Sequence, residues 1–378
     1  MNISRRQLLA MSGAATTLAA ATTLRAAEKA IVASGLKEAY KDDFLIGAAL
    51  SASIIKKQDP ALVALINKEF NSITPENCMK WGEVRNADGS WKWQDADAFV
   101  DFGSKHKLHM VGHTLGWHSQ IPDSVFKNKD GNYISKTELE KKQKDHITTI
   151  VERYKGKLAA WDVVNEAVGD DNKMRDSHWY KIMGDDFLAN AFNLAHEVDP
   201  NAHLMYNDYN NERPAKREAT IAMIKRLQKR GVPIHGLGMQ AHIALETNLQ
   251  DFEDSIIAYA ALGLKIHLTE LDIDVLPTVW NLPVAEISTR FDYTPARDPY
   301  TKGLPKEIEE KQAKVYEALF KILLKHRDKV ERVTFWAVSD DASWLNNFPI
   351  NGRTNYPMLF DRKHAPKSAY FRLLDLKK

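Results

Sequence analysis

The sequence is poor in cysteine, in net charge and in long apolar runs. Its 378 residues include one cysteine, Cys78, so no disulfide can form within the chain. The formal net charge is only +2, which gives no electrostatic preference for nucleic acid or an anionic membrane. With 44% hydrophobic and 27% charged residues, the composition is that of an ordinary globular protein. These shortages exclude a disulfide scaffold and argue against nucleic-acid binding.

The N-terminus has a basic pair, an apolar run and then small residues. Arg5 and Arg6 precede a stretch rich in Ala and Thr. This order is the layout of a secretory signal peptide, and "SRRQLLA" resembles the twin-arginine export signal. A membrane anchor is the alternative, but the stretch is too polar to span a bilayer stably. We predict an exported protein, periplasmic or secreted, with a signal at 1–27 and one domain at 28–378.

Short apolar runs alternate with longer helical patterns along the rest of the chain. Eight such runs lie at 44–50, 70–74, 108–114, 158–166, 202–208, 234–242, 264–272 and 331–340. Strands that alternate with helices are typical of parallel βαβ units. Eight units predict an α/β fold with a single (β/α)8 TIM barrel. An open doubly wound sheet is the alternative, but "GAALSAS" after the first run lacks a phosphate-binding glycine pattern.

Polar and aromatic side chains lie at the ends of seven of the eight runs or directly after them. In chain order they are Glu76, Asn77, Lys80 and Trp81; His113, Trp117, His118 and Gln120; Asn165 and Glu166; Asn207, Asp208, Tyr209 and Asn210; Gln240 and His242; Glu270 and Asp272; Trp336, Asp340 and Trp344. One polar strand end can simply mark the exit to solvent. Seven of them on one face of a barrel indicate an active site at the C-terminal ends of the strands.

The carboxylic acids in this set suggest a reaction. Glu166 and Glu270 end the fourth and seventh runs, on opposing sides of the predicted ring. Glycoside hydrolysis needs one acid to protonate the leaving oxygen and one carboxylate to attack or stabilise the sugar cation. Zinc would be the alternative for His109, His113 and His118, but no "HExxH" spacing accompanies them. We therefore predict no metal and no cofactor.

Seven stretches together resemble the family 10 glycoside hydrolases, the barrel-type endo-β-1,4-xylanases. They are "ENCMKW", "HTLGWHSQIP", "WDVVNEA", "YNDYN", "GMQAHI", "LTELDI" and "FWAVSDDASW". The resemblance runs in order from about Phe44 to the final "PMLFDRKHAPKSAYFRLL". It implies hydrolysis of internal xylan bonds with retention of anomeric configuration.

The resemblance also implies a role for individual residues. Glu166 would be the acid/base and Glu270 the nucleophile, with carboxyl groups about 5–5.5 Å apart in a retaining enzyme. Asn165 would bind the sugar 2-hydroxyl, Gln240 would lie near the acid/base, and His242, backed by Asp272, would orient the nucleophile. Without the motif, His242 would be interpreted as a structural core histidine. The implied substrate-binding residues are Glu76, Asn77, Lys80, His113, Trp117, Gln120, Tyr209, Trp336 and Trp344.

Two long segments depart from the family pattern, at 277–305 and 345–357. Long loops are usually functional or mobile, and these follow the last two runs, beside the predicted cleft. Trp280, Phe291, Tyr293 and Tyr300 in the first segment are candidate sugar contacts. Anchoring of the loop onto the barrel is an equally good explanation for them.

The leading hypothesis is therefore a monomeric endo-1,4-β-xylanase whose partner is xylan or xylo-oligosaccharide, without a membrane anchor. A retaining β-glycosidase that acts on another β-1,4-glucan is the nearest alternative. A non-catalytic sugar-binding barrel is the alternative from a different class, and the presence of both Glu166 and Glu270 argues against it.

Overall fold

The computed structural model describes residues 35–86, 88–279, 287 and 289–378. The predicted export signal at 1–27 and the candidate sugar contact Trp280 lie outside the described residues. Within the described ranges, no helix is long and apolar enough to cross a membrane.

Parallel strands form the centre of the molecule. They are β1 (Leu45–Leu50), β2 (Ser72–Pro75), β3 (His109–Gly116), β4 (Ala160–Asn165), β5 (His203–Asp208), β6 (Gly236–Met239), β7 (His242–Ala244), β8 (Lys265–Asp274) and β9 (Val330–Phe335). Neighbours pair in the order β1, β2, β3, β4, β5, β6, β8, β9. Because β9 also pairs with β1, in the register Leu45 to Arg332, the sheet closes on itself. The closed eight-stranded barrel confirms the predicted (β/α)8 fold.

The sixth apolar run differs from the prediction of one continuous strand over 234–242. It is divided into β6, within the barrel, and the short β7, which pairs only with the end of β8. The break occurs because Ala241 has a left-handed backbone, with φ of 62°. The Gln240 carbonyl there accepts a hydrogen bond from the Glu270 amide at 2.9 Å, which fixes the interruption.

Helices surround the barrel. They are α1 (Leu36–Ala39), α2 (Ala52–Lys57), α3 (Pro60–Glu69), α4 (Trp81–Val84), α5 (Gln94–Lys105), α6 (Lys136–Tyr154), α7 (His178–Met183), α8 (Asp186–Val198), α9 (Pro214–Lys229), α10 (Leu249–Ala260), α11 (Lys306–Lys325) and α12 (Ser368–Asp375), with short 3₁₀ turns at Asp123–Val125, Pro295–Arg297, Asp340–Ala342 and Trp344–Asn346. Local chemistry sets several boundaries. Asp59 caps α3 by accepting from the amides of Ala61 and Leu62, and Gly231 follows α9 in a left-handed conformation with φ of 73°.

The helices cover the strands with apolar stripes. In α8 the buried residues include Phe187, Leu188, Ala191, Phe192 and Ala195, a spacing that puts them on one face. This helix contacts β4 and β5. Such packing holds the strands rigid, so the side chains just beyond their C-terminal ends have a fixed framework.

Candidate active site

A cleft with a volume of about 950 Å³ opens at the C-terminal ends of the barrel strands. Every predicted site residue lines it: Glu76, Asn77, Lys80, His113, Trp117, Gln120, Asn165, Glu166, Tyr209, Gln240, His242, Glu270, Asp272, Trp336 and Trp344. By contrast, the three histidines considered for zinc are not brought together. His109 begins β3 at the other end of the barrel from the cleft.

Glu166 lies directly after β4 and is only 5% exposed. Its backbone is left-handed, with φ of 59°, which turns the chain out of the strand. The carboxylate accepts hydrogen bonds at Oε2 from Trp117 Nε1, at 2.8 Å, and at Oε1 from Gln240 Nε2, at 2.9 Å. Asn165 Nδ2 donates to the same Oε1 at 3.0 Å. The group is thus held by neutral donors on several strand ends.

Burial raises the pKa of Glu166, but nearby positive charge and donors outweigh it. His118 Nδ1 is 3.7 Å from Glu166 Oε2, and Arg175 Nε donates to the Glu166 carbonyl at 2.8 Å. Together with the hydrogen bonds from Gln240 and Trp117, these groups leave the pKa of Glu166 below its ordinary value. In the free cleft the ionised form of Glu166 is therefore favoured.

Glu270 lies within β8 and is also 5% exposed. Its Oε1 accepts from Asn207 Nδ2 at 2.8 Å, and its Oε2 is 3.2 Å from His242 Nε2. A carboxylate whose oxygens are both engaged in this way has a fixed orientation, which is what a nucleophile requires.

Two amide side chains connect the carboxyl groups. Asn207 Nδ2 donates both to Glu270 Oε1 and to Asn165 Oδ1, the latter at 2.9 Å, and Asn165 in turn donates to Glu166. Thr269 Oγ1 donates to Asn207 Oδ1 at 2.6 Å, which fixes the amide orientation. Glu166 and Glu270 thus belong to one buried hydrogen-bond network.

The sequence did not assign a role to Asn207, His118 or Arg175. The sequence pattern could have indicated Asn207 and His118 as site residues, because each lies at or just after the end of an apolar run that leads to the cleft. It could not have indicated Arg175, because this residue lies nine positions beyond Glu166 and is brought back by the chain: Arg175 N donates to Ala167 O at 2.8 Å.

His242 lies between the two acids Glu270 and Asp272. Its Nδ1 is 3.0 Å from Asp272 Oδ2, and Trp344 Nε1 donates to the same oxygen at 2.9 Å. Burial alone would lower the pKa of His242, but the charges of Asp272 and Glu270 raise it to about 10. The imidazolium therefore forms a hydrogen bond with Glu270 and an ion pair with Asp272, and these two contacts position Glu270.

The raised pKa of His242 predicts a pH-dependent stability. For a group with a raised pKa in the folded state, the stabilisation is complete below the unfolded value of about 6.5 and is lost as the pH rises through about 10. We expect the wild-type free energy of unfolding to fall by roughly 2–4 kcal/mol across this window, relative to His242→Asn. Denaturant unfolding of both proteins at pH 6, 8 and 10 measures the difference. If the free energies of unfolding of the two proteins changed with pH in parallel, the ion pairs assigned to His242 would be wrong.

One side of the cleft combines charged and aromatic groups. Lys80 Nζ donates to Asn77 Oδ1 at 2.9 Å and lies 4.7 Å from the centre of the Trp117 ring. Burial lowers the pKa of Lys80, although Glu270 and Glu76 oppose this, and burial raises the pKa of Glu76. Lys80 and Glu76 are fixed in position at the cleft surface and have few hydrogen-bond partners there among the residues described. Their polar atoms are therefore available to bind sugar hydroxyls.

Two aromatic rings of the cleft are fixed by polar partners. The Tyr209 hydroxyl accepts from Arg175 at 2.8 Å and donates to Asp170 at 2.8 Å. On the other side, His113 Nδ1 is 2.9 Å from Asp162 Oδ2, and its ring makes an edge contact with Trp336. Rings held in this way offer preorganised surfaces to a flat ligand.

The two long segments that depart from the family pattern bind each other. Phe291 N donates to Pro349 O at 3.0 Å, and Tyr356 Oη donates to Tyr300 O at 2.8 Å. Phe291, Tyr293 and Tyr300 do not line the cleft, so the described part favours anchoring over sugar contact for them. The residues of these segments that do line it are Thr278, Ile287, Arg290, Leu345, Asn347, Phe348 and Pro349.

The sequence matches known proteins along most of its length. The model of Glycosyl hydrolase family 10 matches residues 35–376. The chain belongs to this family. It is 41% identical over 342 residues to endo-1,4-beta-xylanase A of Xylanibacter ruminicola, a match that covers 90% of this chain and 93% of that protein. It is 40% identical over 348 residues to an endo-1,4-beta-xylanase of Geobacillus stearothermophilus, covering 90% and 98%.

Solved structures of family 10 have the same barrel. A GH10 endoxylanase retrieved from sugarcane soil metagenome is 60% identical, with a TM-score of 0.88, and the match covers 90% of this chain and 100% of that one. Xylanase XynB from Paenibacillus barcinonensis, solved with a conduramine derivative, is 37% identical with a TM-score of 0.82, covering 90% and 98%. The earlier resemblance to family 10 is confirmed.

Proposed function

We propose that this family 10 protein is an endo-1,4-β-xylanase that hydrolyses internal β-1,4-xylosidic bonds with retention of configuration. The observation that carries the proposal is the pair of buried carboxyl groups, Glu166 and Glu270, joined through Asn165 and Asn207 at the strand ends. The relatives named as endo-1,4-beta-xylanases support xylan as the substrate.

In the proposed reaction, the first step uses both carboxyl groups. Protonated Glu166 donates its proton to the glycosidic oxygen while a Glu270 oxygen attacks the anomeric carbon. The bond to the leaving sugar breaks and an ester to Glu270 forms. Since the pKa of Glu166 is below its ordinary value in the free cleft, the protonated fraction limits this step as the pH rises.

In the second step, Glu166 takes a proton from water, whose oxygen attacks the anomeric carbon and releases Glu270. Two inversions give net retention. We infer that Asn165 binds the 2-hydroxyl of the reacting sugar, as the resemblance to family 10 implies, while His242 holds Glu270 with Asp272 behind it. Trp336 and Trp344 narrow the cleft beside His242, with the Trp344 ring 4.9 Å from its imidazole. In the family these two aromatics crowd the position of a hexose hydroxymethyl group, which favours xylose.

Release of reducing ends from xylan and from carboxymethylcellulose tests the substrate assignment. We expect xylan to be hydrolysed at least about 10-fold faster, since one poorly accommodated hydroxymethyl group per sugar costs about 1–3 kcal/mol. The Glu270→Gln variant is the matched control for contaminating activity. Faster hydrolysis of carboxymethylcellulose would instead identify a glucanase, and tight xylan binding without turnover would identify a sugar-binding barrel.

Export and a monomeric state complete the proposal. The sequence "SRRQLLA" supports transport by the twin-arginine route to the periplasm or beyond, with 28–378 as the catalytic domain. We propose a monomer, since the reaction needs two carboxyl groups and Glu166 and Glu270 of a single chain already supply both.

A further inference from the structure

Histidines gather at the N-terminal end of the barrel, opposite the cleft. His203 is the first residue of β5, and His267 lies near the start of β8. Their Nε2 atoms are 3.2 Å apart, and Glu331 Oε2, from the start of β9, is 3.7 Å from His267 Nε2. Sugar hydrolysis in the cleft uses none of these groups.

We propose that His203, His267 and Glu331 bind a divalent transition-metal ion of the zinc type. One ligand atom from each residue lies within 4.8 Å of the others. Two ligands that each lie about 2.0–2.1 Å from a tetrahedral zinc ion are about 3.3–3.4 Å apart, close to the observed spacing of the imidazoles. Two imidazoles and one carboxylate are also a ligand set that zinc accepts, with water in the fourth position.

Gly236 makes room for the two imidazoles. It belongs to β6, which pairs with β5 on one side and with β8 on the other. A Cβ atom at this position would lie 2.5 Å from His203 Nε2 and 2.9 Å from His267 Nε2. A side chain there would collide with both imidazoles, so glycine at this position allows their Nε2 atoms to approach each other.

Solvent access favours ion binding at this cluster, whereas the neighbouring positive charges oppose it. Glu331 is 41% exposed in its side chain, so an ion can enter from solvent. Lys265 Nζ, 3.8 Å from Glu331 Oε1, and the buried Arg332 oppose a cation. We therefore expect weaker binding than at a closed four-ligand site.

Such an ion would join the beginnings of β5, β8 and β9 and stabilise the barrel without touching the cleft. Because it would bind the folded chain, saturating Zn²⁺ should raise the melting temperature of the full chain by about 2–4 °C. Titration calorimetry with ZnCl₂ after chelator treatment should give one site per chain. Co²⁺ should show the visible absorption of a four-coordinate imidazole site.

Variants decide whether this cluster is the site. His267→Ala should weaken Zn²⁺ binding at least about 10-fold and remove the melting shift. Glu331→Gln should also weaken Zn²⁺ binding. Because it replaces an exposed side chain by one of equal size, this variant should fold even if His267→Ala does not. The control is His364→Asn, whose imidazole pairs with Asp341 beyond the C-terminal end of β9, and where asparagine tolerates the φ of 65°. Unchanged affinity in Glu331→Gln and in folded His267→Ala would overturn the proposal, leaving a metal-free imidazole hydrogen bond.

Discussion

Glu270→Ala is expected to reduce xylan hydrolysis by on the order of 10⁴-fold or more, and azide is expected to restore turnover. The carboxylate is buried and held by Asn207 and His242, so water cannot easily take its place in the same geometry. Alanine leaves a space beside the anomeric carbon in which a small anion can react. A single displacement by azide inverts the configuration, so the product should be the α-glycosyl azide.

The azide experiment distinguishes a nucleophile from a structural acid. The natural control is Glu246→Ala, because Glu246 also lines the cleft but is 79% exposed in its side chain and pairs only with Lys311 in the described residues. It should keep near wild-type activity. Product analysis by proton NMR identifies the anomer. If azide gives no product, or gives the β-azide, Glu270 is not the attacking group.

The fold was predictable because its signals are local. Each strand is a short apolar run, and each polar strand end follows directly from the sequence, so the barrel and the pair Glu166 and Glu270 could be located in advance. The interruption after β6 could not, because it depends on the left-handed backbone of Ala241 and a hydrogen bond between Gln240 and Glu270, thirty positions away.

Pairwise contacts over long sequence separations were also beyond prediction. Asn207 joins Asn165 to Glu270 because β4 and β5 are adjacent in the sheet, and His203 meets His267 because β5 and β8 flank the same strand, β6. The lowered pKa of Glu166 also depends on contacts between residues that are far apart in the sequence. Chemistry requires this acid to be protonated at the start, whereas His118 and Arg175, which the fold brings to it, favour its ionised form in the free cleft.

Glu166→Ala is expected to lower xylan hydrolysis by about 10²–10⁴-fold while sparing the first step on activated aryl xylosides. Xylan has a poor leaving group that must be protonated, whereas a dinitrophenolate leaves without a proton. The aryl substrate should therefore show a rapid burst followed by slow turnover, because the second step still lacks its base. Azide should accelerate that step and give the β-glycosyl azide, the opposite anomer to the one expected from Glu270→Ala.

The pH profile provides an independent check on Glu166. In the wild type, kcat/KM for xylan should decrease as the pH rises through the pKa of Glu166, because the proton donor is lost. Since His118 and Arg175 lower that pKa, the decrease should begin on the acidic side of neutrality. Glu166→Gln keeps the size of the side chain but cannot supply a proton, so this limb should be absent from its profile. Equal losses on xylan and aryl substrate, or an alkaline limb retained in Glu166→Gln, would assign the proton to another group.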